Sequence, residues 1–271
     1  MHNYGRRLFG DERWASMLAV PQDSDPVNNA QMFALDALHT TGYYDDPKDR
    51  RRTMSNMEES CLVYADRYFK SKLPVVVRGD LIGIEIPFVL EVVRDVPHDA
   101  AEQYKPQYYC GRIDGIHEWG EQLAVGENKT AARLTDAWRM SFALSHQITG
   151  YTIAAGVLLD TEINNAIVMG VQLPLPKSAF DGVVFELVTR TESDRLRWCE
   201  WFFHSIATYE TYITRATQAP RYAHSCNRYF SACQFIPFCA LPRDEQVMSL
   251  EDMRIDEWSP LDHIDEKAEA E

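Results

Sequence analysis

The spacing of apolar residues changes near residue 73. Before it, apolar side chains recur at helical intervals, which predicts helices over residues 29–38 and 49–71. After it, short β-rich runs are separated by glycine, proline or polar residues, as expected of strands. From Ile82 to Ile86, isoleucines alternate with other residues, which is the period of a strand that buries one face.

The order of these elements indicates the class of fold. Helices come first, followed by several strands, a helix, two more strands and a final helix. Consecutive strands without an intervening helix favour a mixed sheet flanked by helices over a doubly wound parallel sheet. We therefore predict an α/β fold with a mixed central sheet. Its strands are predicted at 75–78, 82–91, 108–116, 123–130, 165–173 and 183–189, and its later helices at 135–155 and 192–216.

The composition is that of an ordinary globular protein. The 271 residues are 45% hydrophobic and 25% charged, which excludes wholesale disorder. No apolar run is long enough to span a membrane, and residues 1–10 lack the apolar core of a signal peptide. We therefore expect a soluble, intracellular (cytoplasmic) protein with no membrane partner.

The net charge of −14 bears on the choice of partner, because affinity for nucleic acids comes largely from lysine and arginine. Residues 242–271 contain 11 acidic and three basic side chains, a charge of −8. Residues 1–241 carry only −6 and include basic clusters at 6–7 and 48–52. A groove that binds phosphates is therefore compatible with the sequence.

Two neighbouring predicted strands carry the most specific group of polar residues. One contains Asp114, and the other contains Glu127 and Lys129. Side chains alternate along a strand, so Glu127 and Lys129 point the same way, and a hairpin would place Asp114 beside Glu127. Converging carboxylates repel each other unless a cation lies between them, and oxygen ligands suit Mg²⁺ or Mn²⁺. A surface strand pair with a Glu–Lys salt bridge is the alternative interpretation.

The helix that follows these strands carries Gln147 and Tyr151. Residues four apart lie on one face of a helix, so both side chains can reach over the sheet edge together. Such a pair is also common on half-buried helices. Its place directly after the Glu-x-Lys strand is what favours a role at the site.

Taken together, these motifs resemble the RecB-like branch of the PD-(D/E)XK nucleases. The matching patterns are Gly-x-x-Asp at Gly111–Asp114, Glu-x-Lys at Glu127–Lys129 and Gln-x-x-x-Tyr at Gln147–Tyr151. Their order and spacing are those of the family, and the resemblance is strongest over residues 73–155. It implies a restriction-endonuclease-like core.

The resemblance assigns a role to each matching residue. Asp114 and Glu127 would bind the catalytic divalent metal, Mg²⁺ or Mn²⁺, and Lys129 would assist the attacking water. Gln147 and Tyr151 would position the substrate or the catalytic side chains. The expected activity is that of a metal-dependent DNA nuclease.

Two further acidic or metal-binding candidates lie outside these motifs. Exonucleases of the family carry an additional histidine ligand on an N-terminal helix, and His39 is the candidate by position, although the glycine that accompanies it in the family is absent. A helix-end histidine near solvent is the alternative. Glu85 projects from its strand opposite to the isoleucines and is either a site residue or an ordinary solvent-facing glutamate.

Three of the six cysteines, Cys226, Cys233 and Cys239, fall within fourteen residues of one another. Thiolates in such a segment suit zinc or an iron–sulfur cluster, either of which needs four ligands. Buried free cysteines are the alternative, which fits Cys110 and Cys199 better than this group.

Several RecB-like nucleases hold a [4Fe–4S] cluster with one cysteine before the core and three after it, and Cys61 occupies the first of these places. The resemblance therefore implies a cluster bound by Cys61, Cys226, Cys233 and Cys239, with a structural role. The first gap of the C-terminal group, six residues, departs from the family's spacing. Zinc is the alternative cofactor.

These inferences combine into one expected organisation. A helical N-terminal region that contributes Cys61 (1–72) precedes the nuclease core (73–217), a cysteine segment (218–241) and an acidic tail (242–271). We expect an exonuclease that acts on single-stranded DNA or DNA ends in repair, recombination or phage DNA processing, in a bacterial or phage setting and with a protein partner in a repair or recombination complex. Tyr108 or Tyr109 would be exposed for stacking on bases. The alternative is a non-catalytic nucleic-acid-binding subunit stabilised by iron–sulfur or zinc.

Overall fold

The computed structural model describes residues 26–40, 50–78, 81–92, 107–173, 182–214, 226 and 232–250. These residues divide into two compact units, 26–198 and 199–250. Residues 251–271 of the predicted acidic tail, most of the predicted cysteine segment and the basic cluster at 6–7 lie outside the described residues. No described helix is long and apolar enough to cross a membrane.

A five-stranded mixed sheet forms the centre of the first unit, which confirms the predicted mixed sheet flanked by helices. Its strands β3 to β7 lie side by side in chain order, and all neighbours are antiparallel except β5 and β6. The described strands are β1 (Val77–Arg78), β2 (Leu81–Ile82), β3 (Ile84–Val92), β4 (Gln107–Trp119), β5 (Gln122–Ala131), β6 (Asn165–Gln172) and β7 (Val183–Thr189). Strands β1 and β2 form a separate two-stranded ribbon.

Helices occupy the predicted positions before, within and after the sheet. The connection between the parallel strands β5 and β6 is helical, as a parallel crossover requires. The described helices are α1 (Pro26–Thr40), α2 (Met54–Ser71), α3 (Asp136–Met140), α4 (His146–Leu159), α5 (Glu192–Thr214), α6 (Ile236–Ala240) and α7 (Arg243–Leu250).

Helices α2 and α4 cover opposite faces of the sheet. Along each strand successive side chains point to opposite faces, so one strand serves both cores. On β5, Val125 packs in the core that contains Ile148 of α4, whereas Ala124 packs in the core beneath Tyr64 and Tyr68 of α2. The sheet is therefore the middle of three layers.

The predicted single helix at 135–155 is wrong, because the structure has two helices there. Helix α3 ends at Met140, and α4 begins at His146 after a turn. The side chain of Ser145 accepts a hydrogen bond from the backbone N–H of Ile148 at 3.4 Å and caps α4. A serine that satisfies a free N–H in this way favours a new helix start over continuation of the preceding helix.

A buried arginine holds this turn in place. Arg190, which follows β7 and is 4% exposed, donates hydrogen bonds to Thr149 Oγ1 and to the carbonyl of Phe142, both at 2.7 Å. A longer bond of 3.4 Å reaches the carbonyl of Ser145. The guanidinium therefore fixes the turn and the first residues of α4 to the end of the sheet.

Replacing Arg190 by methionine is expected to destabilise the fold by about 2–4 kcal/mol, because two buried acceptors lose their donor. Urea unfolding of the two proteins measures this difference. Arg112→Met is the matched control: its side chain is 68% exposed and its guanidinium lies 3.7 Å from Glu85, so its loss should cost less than about 1 kcal/mol. Equal losses in the two variants would contradict the structural role of Arg190.

Candidate active site

The candidate site lies where strands β4 and β5 separate. The two strands form the predicted antiparallel hairpin, which pairs Trp119 with Gln122 and continues to Gly115 opposite Gly126. Beyond that pair, β4 continues against β3 and β5 continues against β6. The next residues on the two diverging strands are Asp114 and Glu127, so the gap opens between two carboxylates.

Asp114 bridges this gap to the neighbouring strand. Its Oδ2 accepts a hydrogen bond from the backbone N–H of Asn128 at 2.8 Å. A side chain thus satisfies a backbone N–H of β5 at the point where the β4–β5 ladder has ended. The bond fixes the half-buried Asp114 carboxylate beside β5.

Glu127 is the buried member of the pair, at 1% exposed. Its Oε1 contacts the ammonium of Lys129, whereas its Oε2 is buried without a hydrogen-bond partner in the described part of the chain. Burial raises the pKa of Glu127, the hydrogen bond from Lys129 lowers it, and the nearby Asp114 raises it, so that the net shift is upward. An unsatisfied buried oxygen of this kind is uncommon and costly in a folded protein.

Helix α4 supplies the other two predicted residues. Lys129 Nζ donates to Gln147 Oε1 at 3.2 Å, and Gln147 Nε2 donates to the hydroxyl of Tyr151 at 3.3 Å. Gln147 and Tyr151 therefore share the helix face that looks onto the strand ends, as their spacing predicts. Glu127, Lys129, Gln147 and Tyr151 form one chain of contacts.

His39 and Glu85 have other partners. His39 Nε2 lies 2.7 Å from Glu58 Oε1 of α2, and its side chain is 55% exposed. Glu85 is 49% exposed, faces Arg112 at 3.7 Å, and has a left-handed φ of 49°. Among the contacts of the described residues, neither side chain is joined to Asp114 or Glu127.

The prediction of an exposed Tyr108 or Tyr109 for stacking on bases is wrong for Tyr109, and Tyr108 is half-buried. The Tyr109 ring packs in the core, with its centroid 5.1 Å from that of Phe88 and 4.8 Å from that of Trp198. Burial raises the pKa of its hydroxyl, in agreement with an interior position. The aromatic character of Tyr109 does not show which face of the strand it occupies, and its face is the buried one.

The sequence did not reveal a layer of polar residues behind the site, on the α2 face. Tyr64 donates its hydroxyl to Asn128 Oδ1 at 2.7 Å, and Tyr68 lies with its hydroxyl 3.2 Å from Nδ1 of the buried His117. In the sequence, only two glycines hint at the position of the His117 ring. A Cβ at Gly115 or at Gly126 would overlap that ring, so both positions need glycine.

The cysteines are divided between the two compact units. Cys61 lies in α2 of the first unit, and burial raises the pKa of its thiol. In the second unit the backbone N–H of Cys233 donates to the carbonyl of Cys226 at 2.8 Å, and Cys239 lies in α6. Within the described residues, no three His, Cys, Asp or Glu side chains form a group that could hold a metal ion. The cysteine cluster stays a prediction.

Comparisons with known proteins do not indicate a function, so the function is inferred from the geometry of the site. No protein-family model matches the chain, and no curated protein matches it. A solved structure titled "Crystal structure of SSO0001" is 12% identical, with a TM-score of 0.32, over 76% of this chain and 94% of that chain. A likeness at this TM-score supports no conclusion about fold or activity.

Replacing Glu127 by glutamine in the presence of a chelator is expected to raise the free energy of unfolding at neutral pH. Because burial raises the pKa of Glu127 in the folded protein, its ionised form destabilises the fold above that pKa. The penalty shrinks as the pH falls through the raised pKa of the folded protein and disappears below 4.5, the ordinary value, where the carboxyl is protonated in both states. Urea unfolding across this pH range measures the difference.

The matched control for that experiment is Glu118→Gln, which alters an exposed carboxylate on the neighbouring strand β4. It should change stability little and with no comparable pH dependence. A Glu127→Gln protein that is less stable than the wild type at neutral pH would contradict the expected penalty.

Proposed function

We propose that this protein is a metal-dependent nuclease that hydrolyses DNA phosphodiester bonds. One observation carries the proposal: two carboxylates meet where two strands diverge, and one of them keeps a buried oxygen without a partner among the described residues. A purely structural Glu–Lys pair gives no reason to bury that second oxygen. A cation-binding role gives one, because a bound cation would satisfy it.

The donor set fits Mg²⁺ or Mn²⁺. These cations prefer carboxylate oxygen and are commonly held by one or two carboxylates, the remaining ligands being water and substrate phosphate. Asp114 and Glu127 would hold the ion, with the unpartnered Oε2 as its buried ligand. When bound, such an ion polarises a phosphoryl oxygen and lowers the pKa of water.

The remaining residues would orient the reacting groups. Lys129 is one-third exposed, at 34%, so its ammonium is reachable by substrate while it contacts Glu127. There it would orient the attacking water and stabilise negative charge that develops on the phosphate. Gln147 holds the ammonium from the α4 side, and Tyr151 holds Gln147. The chain thus supplies a fixed cation beside the carboxylate pair.

The fold and the charge refine the proposal. The mixed sheet with helices on both faces is compatible with a restriction-endonuclease-like core of the RecB-like type, which we propose here. The net charge of −14 supports weak, salt-sensitive DNA binding, or binding assisted by a protein partner. Single-stranded DNA or DNA ends, attacked as by an exonuclease in repair, recombination or phage DNA processing, are the proposed substrates.

The proposal is tested by incubating labelled single- and double-stranded DNA with the protein and Mg²⁺ or Mn²⁺. Asp114→Asn and Lys129→Met are each expected to lower the cleavage rate by roughly 100-fold or more, because each removes a group that acts on the transition state. Removal of the metal with a chelator should abolish cleavage in the wild type.

Glu118→Gln serves as the matched control, since it removes the charge of an exposed carboxylate on β4 away from the gap. It should cleave at the wild-type rate. Equal cleavage by all variants would show that Asp114 and Lys129 do not form the site. Absence of cleavage by the wild type, with DNA binding retained, would favour the non-catalytic nucleic-acid-binding subunit.

We also propose that the four cysteines named above, Cys61, Cys226, Cys233 and Cys239, bind a [4Fe–4S] cluster, with zinc as the alternative. The support is their soft-ligand chemistry and the closeness in the chain of the three that lie in the second unit. Protein purified without oxygen is expected to contain iron and sulfide, and Cys233→Ala to lose both. Stoichiometric zinc without iron would identify the alternative cofactor, and Cys199→Ala is the control thiol.

A further inference from the structure

Helix α2 contacts the candidate site from the face of the sheet opposite to α4. The contact is a hydrogen bond of 2.7 Å, donated by the Tyr64 hydroxyl to Asn128 Oδ1. Asn128 lies between Glu127 and Lys129 in sequence, and its side chain points away from theirs because strand residues alternate. A residue of α2 therefore holds the strand segment that carries both site residues.

The backbone of Asn128 makes the second half of the link. Its N–H donates to Asp114 Oδ2 at 2.8 Å, so one residue is held by Tyr64 through its side chain and holds Asp114 through its main chain. Strands β4 and β5 are no longer paired here, since their ladder ends at Gly115 and Gly126. Strand β4 stays paired with β3 and β5 with β6, but across the gap between the two carboxylates the bond from the backbone N–H of Asn128 to the side chain of Asp114 takes the place of β4–β5 ladder bonds.

The Tyr64 side chain is itself well supported. Its ring stacks on that of Tyr68, with centroids 5.9 Å apart and an interplanar angle of 26°. Burial, Tyr68 and the nearby Asp114 all raise the pKa of Tyr64, so the hydroxyl stays protonated and acts as a donor throughout the ordinary pH range. Its hydroxyl is also 3.5 Å from Met169 Sδ, a much weaker acceptor.

We propose that Tyr64 is a positioning residue for the carboxylate pair: by fixing Asn128 it keeps Asp114 and Glu127 at the spacing that binds a divalent cation. This inference rests on the proposed function of the same site. Its consequence is that the docking of α2 and the affinity for metal are coupled. Residues that do not touch a metal but hydrogen-bond to the groups that hold it commonly affect metal affinity, because they fix the orientation of the ligands.

Tyr64→Phe removes only the hydroxyl and keeps the ring stacked on Tyr68. Mn²⁺ binding by the full chain, measured by calorimetry and by electron paramagnetic resonance, is expected to weaken about tenfold. Asn128→Ala should weaken it similarly, and the Tyr64→Phe/Asn128→Ala double variant should be no weaker than Asn128→Ala, because both changes break one link.

Tyr68→Phe is the matched control on the same helix. Its hydroxyl donates to the carbonyl of Leu73 at 3.0 Å and lies beside His117, so its loss should lower stability and leave the Mn²⁺ Kd within about twofold of the wild-type value. A Kd that changes equally in Tyr64→Phe and Tyr68→Phe would show a general effect of loosening α2, and would overturn the positioning role.

A readout without metal keeps the inference testable if Tyr64→Phe folds poorly. In protein labelled with ¹⁵N-asparagine, the backbone amide signal of Asn128 should shift and exchange faster in Tyr64→Phe, because its bond to Asp114 is loosened. An unchanged signal together with an unchanged Kd rejects the positioning role alone. A wild-type protein that binds no Mn²⁺ and cleaves no DNA rejects the proposed function, and the inference with it.

Discussion

The burial of one carboxylate, Glu127, is the constraint on which the rest of the site depends. A negative charge removed from water is tolerated only where polar partners surround it. Here one oxygen contacts the ammonium of Lys129, whereas the other has no partner in the part of the chain that the structure describes. The second carboxylate, Asp114, adds repulsion rather than relief. The Asp114–Glu127 pair therefore lowers the stability of the sheet locally, and such destabilising arrangements are common at functional sites.

Support for this unfavourable arrangement comes from both faces of the sheet. On one face, Gln147 holds Lys129 from α4, and the buried Arg190 fixes the start of that helix. On the other face, Tyr64 holds Asn128 from α2. The separation of β4 from β5 makes room for the carboxylates but removes the ladder bonds between these two strands, so the side chain of Asp114 links them instead.

Local periodicity in the sequence predicts a large part of the placement of these site residues. Strand alternation placed Glu127 and Lys129 on one side, and helical spacing placed Gln147 above them, because both rules depend only on neighbours in the chain. The interruption of the helix at 135–155 was missed, since it depends on Ser145 and on Arg190, which is distant in sequence. The contact between Tyr64 and Asn128 spans 64 positions, and no local pattern encodes it.

The hairpin of β4 and β5 has a consequence for the order in which the chain folds. Its turn is tight, with Gly120 at a φ of 63°, and its contacts are local, so the loop to be closed is short and we expect this pairing to form early. The bond from Tyr64 closes a far longer loop and must await the docking of α2. The hairpin can thus be formed while Asp114 and Glu127 are still unaligned, and the bond from Tyr64 to Asn128 would follow only after α2 has docked.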